Sequence, residues 1–247
     1  MKKIYADLHL CPNLQDFEQF SRMVSKASIL GYSIIGVNFP QTFAEEEIQR
    51  LRDISQEANV DLVSRIDLKP KTTKELVRNL RRLRRKFEII AVICDSKNIA
   101  RQAAKDHRVD LLNFPQFDFR RRFFDRAEAE LASKSLAALE IDIKPILTLE
   151  GPDRIKLLSS LRKEKAIAKK FRVPIVISSG ASDVTLLRKP KELAALSFLF
   201  DLDEASAIKA VSENPISIVK RNREKLSPRF VAPGIRIIRR GKDCQRA

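Results

Sequence analysis

The chain of 247 residues has only two histidines, six glycines and three cysteines, and no tryptophan. Each shortage excludes something. None of the glycines forms a glycine-rich turn behind an apolar run, so no phosphate-cradling loop of the dinucleotide-binding or P-loop kind is present. There is no G-x-S-x-G, and Ser178-Ser179 has no histidine near it in sequence, which argues against a serine nucleophile. The expected role of ISSGASD is a tight strand-to-loop turn, with Ser182 or Asp183 capping the next segment. Cys11, Cys94 and Cys244 are odd in number and lack paired spacing, so a reduced, cytoplasmic setting is expected and a structural zinc site is not. No run of eighteen apolar residues exists to span a membrane, and the apolar part of MKKIYADLHL is too short for a signal peptide.

Two histidines also bear on metal chemistry. The stretch YADLHLCP places Asp7 and His9 two apart at the exit of an apolar run, where a strand turns both to one face. A polynuclear metal site needs several converging imidazoles and carboxylates. Cys11 stands where a second histidine would be wanted, and His107, in KDHRVD, falls just before another strand begins, at the opposite end from His9. His9 is therefore expected as a hydrogen-bonded rim residue, and no metal is assigned to the chain.

What the sequence has is a regular alternation. Apolar runs at 3–8, 32–39, 60–66, 87–94, 108–114, 137–142 and 173–179 read as buried parallel strands, because they are continuous and not alternating. Helical patterns lie near 15–30, 43–58, 72–86, 96–106, 125–134, 152–171 and 190–199. Thr72 and Ser96 suit N-caps and Gly31 a C-terminal cap. Seven such repeats, with room for an eighth strand position near 197–202, predict an α/β fold: a TIM-like (β/α) barrel of irregular form over residues 1–240 with a C-terminal arm. Residues 241–247 are expected to be a frayed basic tail. An open doubly wound sheet is the alternative. The strand exits of such a barrel would carry Asp7, His9, Asn38, Arg65, Asp67, Asp95, Asn113, Glu140, Asp142 and Ser178-Ser179-Gly180.

The other abundant feature is positive charge, with a net of +16. Residues 1–63 hold six Lys/Arg against nine Asp/Glu, which leaves +19 for the rest. A bias confined to part of a globular chain predicts one polyanion-binding surface. Arg78, Arg81, Arg82 and Arg85 fall at three- and four-residue spacing on one helix face, with Leu76, Leu80 and Leu83 on another. Arg120, Arg121 and Arg122 come after FPQFDF; Arg188-Lys189 and Lys220-Arg221 belong to two further clusters. Any one cluster reads as a solvated face; together they favour RNA held through its phosphates, which guanidinium forks grip in two-point fashion. The RNA-contact candidates are Arg65, Arg120, Arg121, Arg122, Arg188, Lys189, Lys220 and Arg221, with Arg78, Arg82 and Arg85 as a second surface.

YADLHLCP, GYSIIGVNF, RVDLLNFP, LEID, VPIVISSGASDV–LRKPKEL and ENPISIVKRNREK, in that order, resemble the archaeal ribonuclease P protein component 3 family, homologous to the thirty-kilodalton subunit of the eukaryotic enzyme. The resemblance implies a distorted barrel related to the polymerase-and-histidinol-phosphatase hydrolases, with Asp7 and His9 as remnants of their first-strand motif. It also implies a non-catalytic subunit that stabilises the RNA which removes 5′ leaders from precursor tRNA. Its partners would be that RNA, protein component 2 and other subunits; the Mg2+ would belong to the RNA, with no cofactor on the chain. Two rivals stand beside it: a metal-dependent phosphoesterase using Asp7, His9, Asp95 and Glu140, and a general RNA-binding barrel.

Overall fold

The computed structural model describes residues 3–115, 122–232 and 235–238. Seven strands, β1 (Ala6–Leu10), β2 (Ile34–Asn38), β3 (Asp61–Leu68), β4 (Ile89–Ile93), β5 (Leu111–Asn113), β6 (Ala138–Asp142) and β7 (Ile175–Ser178), pair in parallel in chain order. An isolated parallel bridge between Leu10 and Ala181, with the Cys11 amide donating to the Ala181 carbonyl at 2.8 Å, returns the end of β7 to β1. The sheet is thus a nearly closed, irregular TIM-like barrel of seven strands. The helices α1 (Phe17–Leu30), α2 (Glu45–Glu57), α3 (Thr73–Leu83), α4 (Lys97–Lys105), α5 (Arg126–Ser135), α6 (Lys144–Thr148), α7 (Gly151–Phe171) and α8 (Pro190–Leu196) alternate with the strands. The expected caps form: Thr72 Oγ1 accepts from the Glu75 amide, Ser96 Oγ from Ile99, and Gly31 closes α1 at φ 97°.

Alternation along the strands sorts the core. One parity (Ala6, Leu8, Val63, Ile89, Ala91, Leu111, Ala138, Val176) fills the barrel interior, and the other packs the sheet against the helices. Further along β3, β5, β6 and β7 the same inward parity becomes polar: Arg65 and Asp67, Asn113, Glu140 and Asp142, Ser178. Strand β1 breaks register between Asp7 and Leu10. Gly36 lies against this irregularity, where an added Cβ would sit 2.4 Å from the Leu8 carbonyl oxygen, so only glycine permits the approach.

The eighth strand does not form. Residues 197–200 are a 3₁₀ turn packed on α7 and α8, and the closure of β7 onto β1 leaves no gap for another strand. Two helices beyond the predicted set come next, α9 (Glu204–Ala210) and α10 (Glu213–Leu226). The latter closes the strand-entry end. Ile218 and Val219 enter the interior cluster, Asn222 donates to the Glu88 carbonyl at 2.8 Å, and Arg223 pairs with Asp61 and Glu88 at 2.5 and 2.6 Å. A short hairpin, β8 (Phe230–Ala232) with β9 (Ile235–Arg236), ends the described chain; the tail at 241–247 lies outside it. No helix among the described residues is long and apolar enough to cross a membrane.

Candidate functional site

At the strand-exit end the inward polar residues form one ion-pair network. The Arg65 side chain is 0% exposed. Its guanidinium donates to both Glu140 oxygens at 2.5 and 2.6 Å, to Asp67 Oδ1 at 2.7 Å and to the Leu8 carbonyl at 2.8 Å. Glu140 also accepts from Ser178 Oγ at 2.8 Å and Asn113 Nδ2 at 2.9 Å. The His9 ring sits between two carboxylates, with Nδ1 2.8 Å from Asp142 and Nε2 3.0 Å from Asp67; Cys11 Sγ lies 3.2 Å from Nε2. Asn38 Oδ1 accepts from the Asp67 amide. Asp7 is at the β1–β7 seam, where Oδ1 accepts from the amides of His9 and Ser179 and Oδ2 has no hydrogen-bond partner among the described residues.

Burial and the Arg65 charge both oppose an imidazolium at His9, but Asp142 and Asp67 outweigh them and raise its pKa well above the ordinary histidine value. Burial likewise opposes the Asp67 carboxylate, and Arg65 and His9 nevertheless hold its pKa far below the usual range. Asp7 goes the other way, pushed up by burial.

Could a metal ion sit here? His9, Glu140 and Asp142 offer donor atoms that all lie within 4.8 Å of one another. Yet both Glu140 oxygens face Arg65, and both His9 nitrogens face carboxylates. A cation bound by these groups would have to displace a guanidinium that has nowhere to go. The residues present do not fit a divalent ion. Asp95, the other member of the phosphoesterase set, shares no hydrogen bond or ion pair with the network among the described residues; its amide donates to the Ile93 carbonyl.

The cations expected to meet RNA fall into three sets. Arg65 is a correction: fully buried and engaged on every side, it cannot reach a polyanion. Arg122 is another, its side chain 4% exposed, paired with Glu164 at 2.6 and 2.7 Å and donating to the Phe114 and Pro115 carbonyls. Arg120 and Arg121 lie outside the described residues. The second set is on the surface but away from the mouth. Lys220 is exposed and Arg221 pairs with Asp110 at 3.2 Å, both on α10. Lys189 is exposed beside Lys3, Tyr5 and Asn59 at the strand-entry end, and Arg188 donates to the Thr185 and Leu187 carbonyls. The third set is α3. Arg78, Arg81, Arg82 and Arg85 are exposed, and none has a carboxylate partner among the described residues; Arg82 donates only to Gln41. Arg78, Arg81, Arg82 and Lys74 line a groove of about 570 Å³ with Val77 and Gln102.

The fold is thus a (β/α) barrel whose mouth is filled by internal ion pairs and whose helix α3 carries exposed arginines without carboxylate partners among the described residues. Comparison narrows this. The chain matches the model of RNase P subunit p30 over residues 4–227. Ribonuclease P protein component 3 of Methanosarcina barkeri is 30% identical over 86% of each chain. The protein of that name from Methanocaldococcus jannaschii is 27% identical over 83% of this chain and 88% of its own. Among solved structures, a chain in the cryo-EM structure of archaeal ribonuclease P with mature tRNA superposes with a TM-score of 0.81 at 24% identity, covering 95% of this chain and 99% of that one. A dihydroorotase from Campylobacter jejuni shares the barrel at a TM-score of 0.52 and 12% identity, over 88% and 83% of the two chains. The chain belongs to the RNase P subunit p30 family, and is a protein subunit of ribonuclease P, the ribonucleoprotein that processes tRNA 5′ ends.

Two outcomes are expected from the mouth. Arg65→Ala strands Glu140 and Asp67 without a counter-charge and lowers stability by about 3–5 kcal/mol in urea unfolding; Arg65→Lys, which cannot form the two-point bond, recovers only part. For His9 the folded pKa is raised, so its contribution is fully present below the unfolded value of about 6.5 and is lost as pH rises through the folded pKa. Unfolding free energy measured from pH 6 upward should therefore fall more steeply for the wild type than for His9→Gln; parallel curves would place the imidazole outside the network.

Proposed function

We propose that this subunit binds the catalytic RNA of ribonuclease P through surface cations and stabilises its folded form, with no catalytic group of its own. The observation that carries this reading is a group of cations on and just after α3: Arg78 and Arg81 on the helix and Arg85 in the turn that follows are exposed without any carboxylate partner among the described residues. Arg65, Arg84, Arg108, Arg122, Arg221 and Arg223 all have acidic partners. Arg50, Arg126, Arg154, Arg172 and Arg229 are exposed without one among the described residues, but they are scattered over the surface. Several unpaired guanidinium groups on one helix face make a face suited to an external polyanion. Guanidinium groups displace counterions and let phosphates in a compact RNA lie closer together, so the RNA geometry that holds Mg2+ is populated more often. The Mg2+ is the RNA's; nothing among the described residues in the mouth of this barrel suits it. The reading includes protein component 2 and other subunits as partners, precursor tRNA as the substrate of the whole particle, and a cytoplasmic location. The phosphoesterase alternative is disfavoured by the Arg65 guanidinium lying among the would-be ligands.

The assembly is checked by purifying the tagged chain from its own cells. One structured RNA with a small set of proteins, component 2 among them, is expected; mixed RNA without a defined particle would favour a general RNA-binding barrel. The interface is checked by titrating the RNA of ribonuclease P at several salt concentrations. Arg78→Ala and Arg81→Ala should each lower the slope of log affinity against log salt by about one, with the thermal midpoint unchanged. An unchanged slope for both would remove α3 from the interface.

A further inference from the structure

The strand-entry end holds a second feature, between the end of α3 and the closing helix α10. It is a recess of about 540 Å³ lined by Arg84, Arg85, His107, Arg108 and Lys225, with Pro228 and Phe230 on its apolar side. No carboxylate among the described residues lines it. The nearby acids are already engaged. Asp110 accepts from Arg84 at 2.5 Å and from Arg221 at 3.2 Å, and Asp106 from Arg108 at 2.6 Å. Arg85 and Lys225 therefore face this space with no acidic partner among the described residues. The crowding is felt at Lys225, whose pKa is lowered first by burial and then by the Arg221 and Arg84 charges, with Asp110 only partly offsetting them. Cations held together in a concave site, and not spread over solvent, are an arrangement that a bound anion relieves.

Position adds a second line. Arg78, Arg81 and Arg82 share one face of α3 by their i, i+3 and i+4 spacing, and Arg85, in the turn that follows the helix, is a wall of the recess. The unpaired arginines thus continue from the helix to the pocket. The apolar side, Phe230 and Pro228, offers a surface to an unstacked base.

We propose that this recess seats a phosphate of an unpaired nucleotide, where the RNA backbone that tracks α3 turns in beneath the barrel. The ligand is an RNA phosphodiester, gripped by Arg85 and Lys225 and steered by Arg84 and Arg108. The proposal rests on the RNA-binding reading above and gives the subunit a contact at the end opposite the ion-paired mouth.

The test uses the full chain and the ribonuclease P RNA transcribed from the genome that encodes it. Lys225→Ala and Arg85→Ala should each lower the salt slope by about one, while Lys225→Arg retains it. Lys225→Ala relieves a like-charge contact, so the fold should persist, as its thermal midpoint reports. Reductive methylation of Lys225 should be suppressed by the RNA and not by inorganic phosphate at equal phosphate concentration. Suppression by inorganic phosphate and not by RNA would overturn an RNA site in favour of a free-anion one. An unchanged slope and unprotected Lys225, with Arg78→Ala still lowering the slope, would overturn the recess and leave the RNA-binding reading standing. A wild-type chain with no salt-dependent RNA binding would overturn both.

Discussion

The two-point bond between Arg65 and Glu140 is the constraint on which the upper half of the barrel depends. Three carboxylates, the buried Glu140 and Asp142 and the half-buried Asp67, converge in the barrel mouth, and such a group folds only if positive charge is built in among them. A guanidinium supplies it from β3 and an imidazolium from β1. Because a guanidinium is planar and donates in several directions at once, one side chain ties β3 to β6 through Glu140 and to β1 through the Leu8 carbonyl. The space that a hydrolase would keep for substrate is occupied by the protein's own charge pairs.

This divides the molecule. Polar inward residues at one end are spent on cohesion, and the other end is closed by α10, whose Ile218 and Val219 complete an apolar layer and whose Arg223 pairs with Asp61 and Glu88. Both ends of the lumen are thus filled by the protein's own side chains. Arginines with acidic partners hold elements together, and three of the exposed arginines without one among the described residues, Arg78, Arg81 and Arg82, stand together on α3.

Much of this was legible in the sequence. Continuous apolar runs located all seven strands, and the capping residues Thr72, Ser96 and Gly31 placed helix ends correctly, because both signals are local. The polar ring was legible as composition but not as circuitry: His9 meets Asp142 across 133 residues, and no periodicity reports such a pair. Arg65 and Arg122 read as RNA contacts for the same reason. An arginine in a basic chain looks free until its partner, Glu140 or Glu164, is brought beside it by the fold. Arg65 did carry a signal, since its position in VSRIDL has the inward parity shared with Val63 and Asp67. The expected eighth strand failed because residues 197–202 lack the flanking context of an open edge: β7 already reaches β1. Helices α9 and α10 escaped the periodic reading because one is short and the other is largely polar on its outer face.

The position of α10 has a consequence for the order of events in the cell. The Ala6 amide donates to the carbonyl of Val211, and the barrel floor is finished by Ile218 and Val219, so the first strand waits for one of the last helices. A nascent chain emerging from the ribosome can stack its early strands and helices, but their inner apolar ends stay uncovered until α10 has been made. Truncation before residue 213 would therefore leave more than a missing helix: it would leave an open-bottomed sheet, prone to sticking to others of its kind.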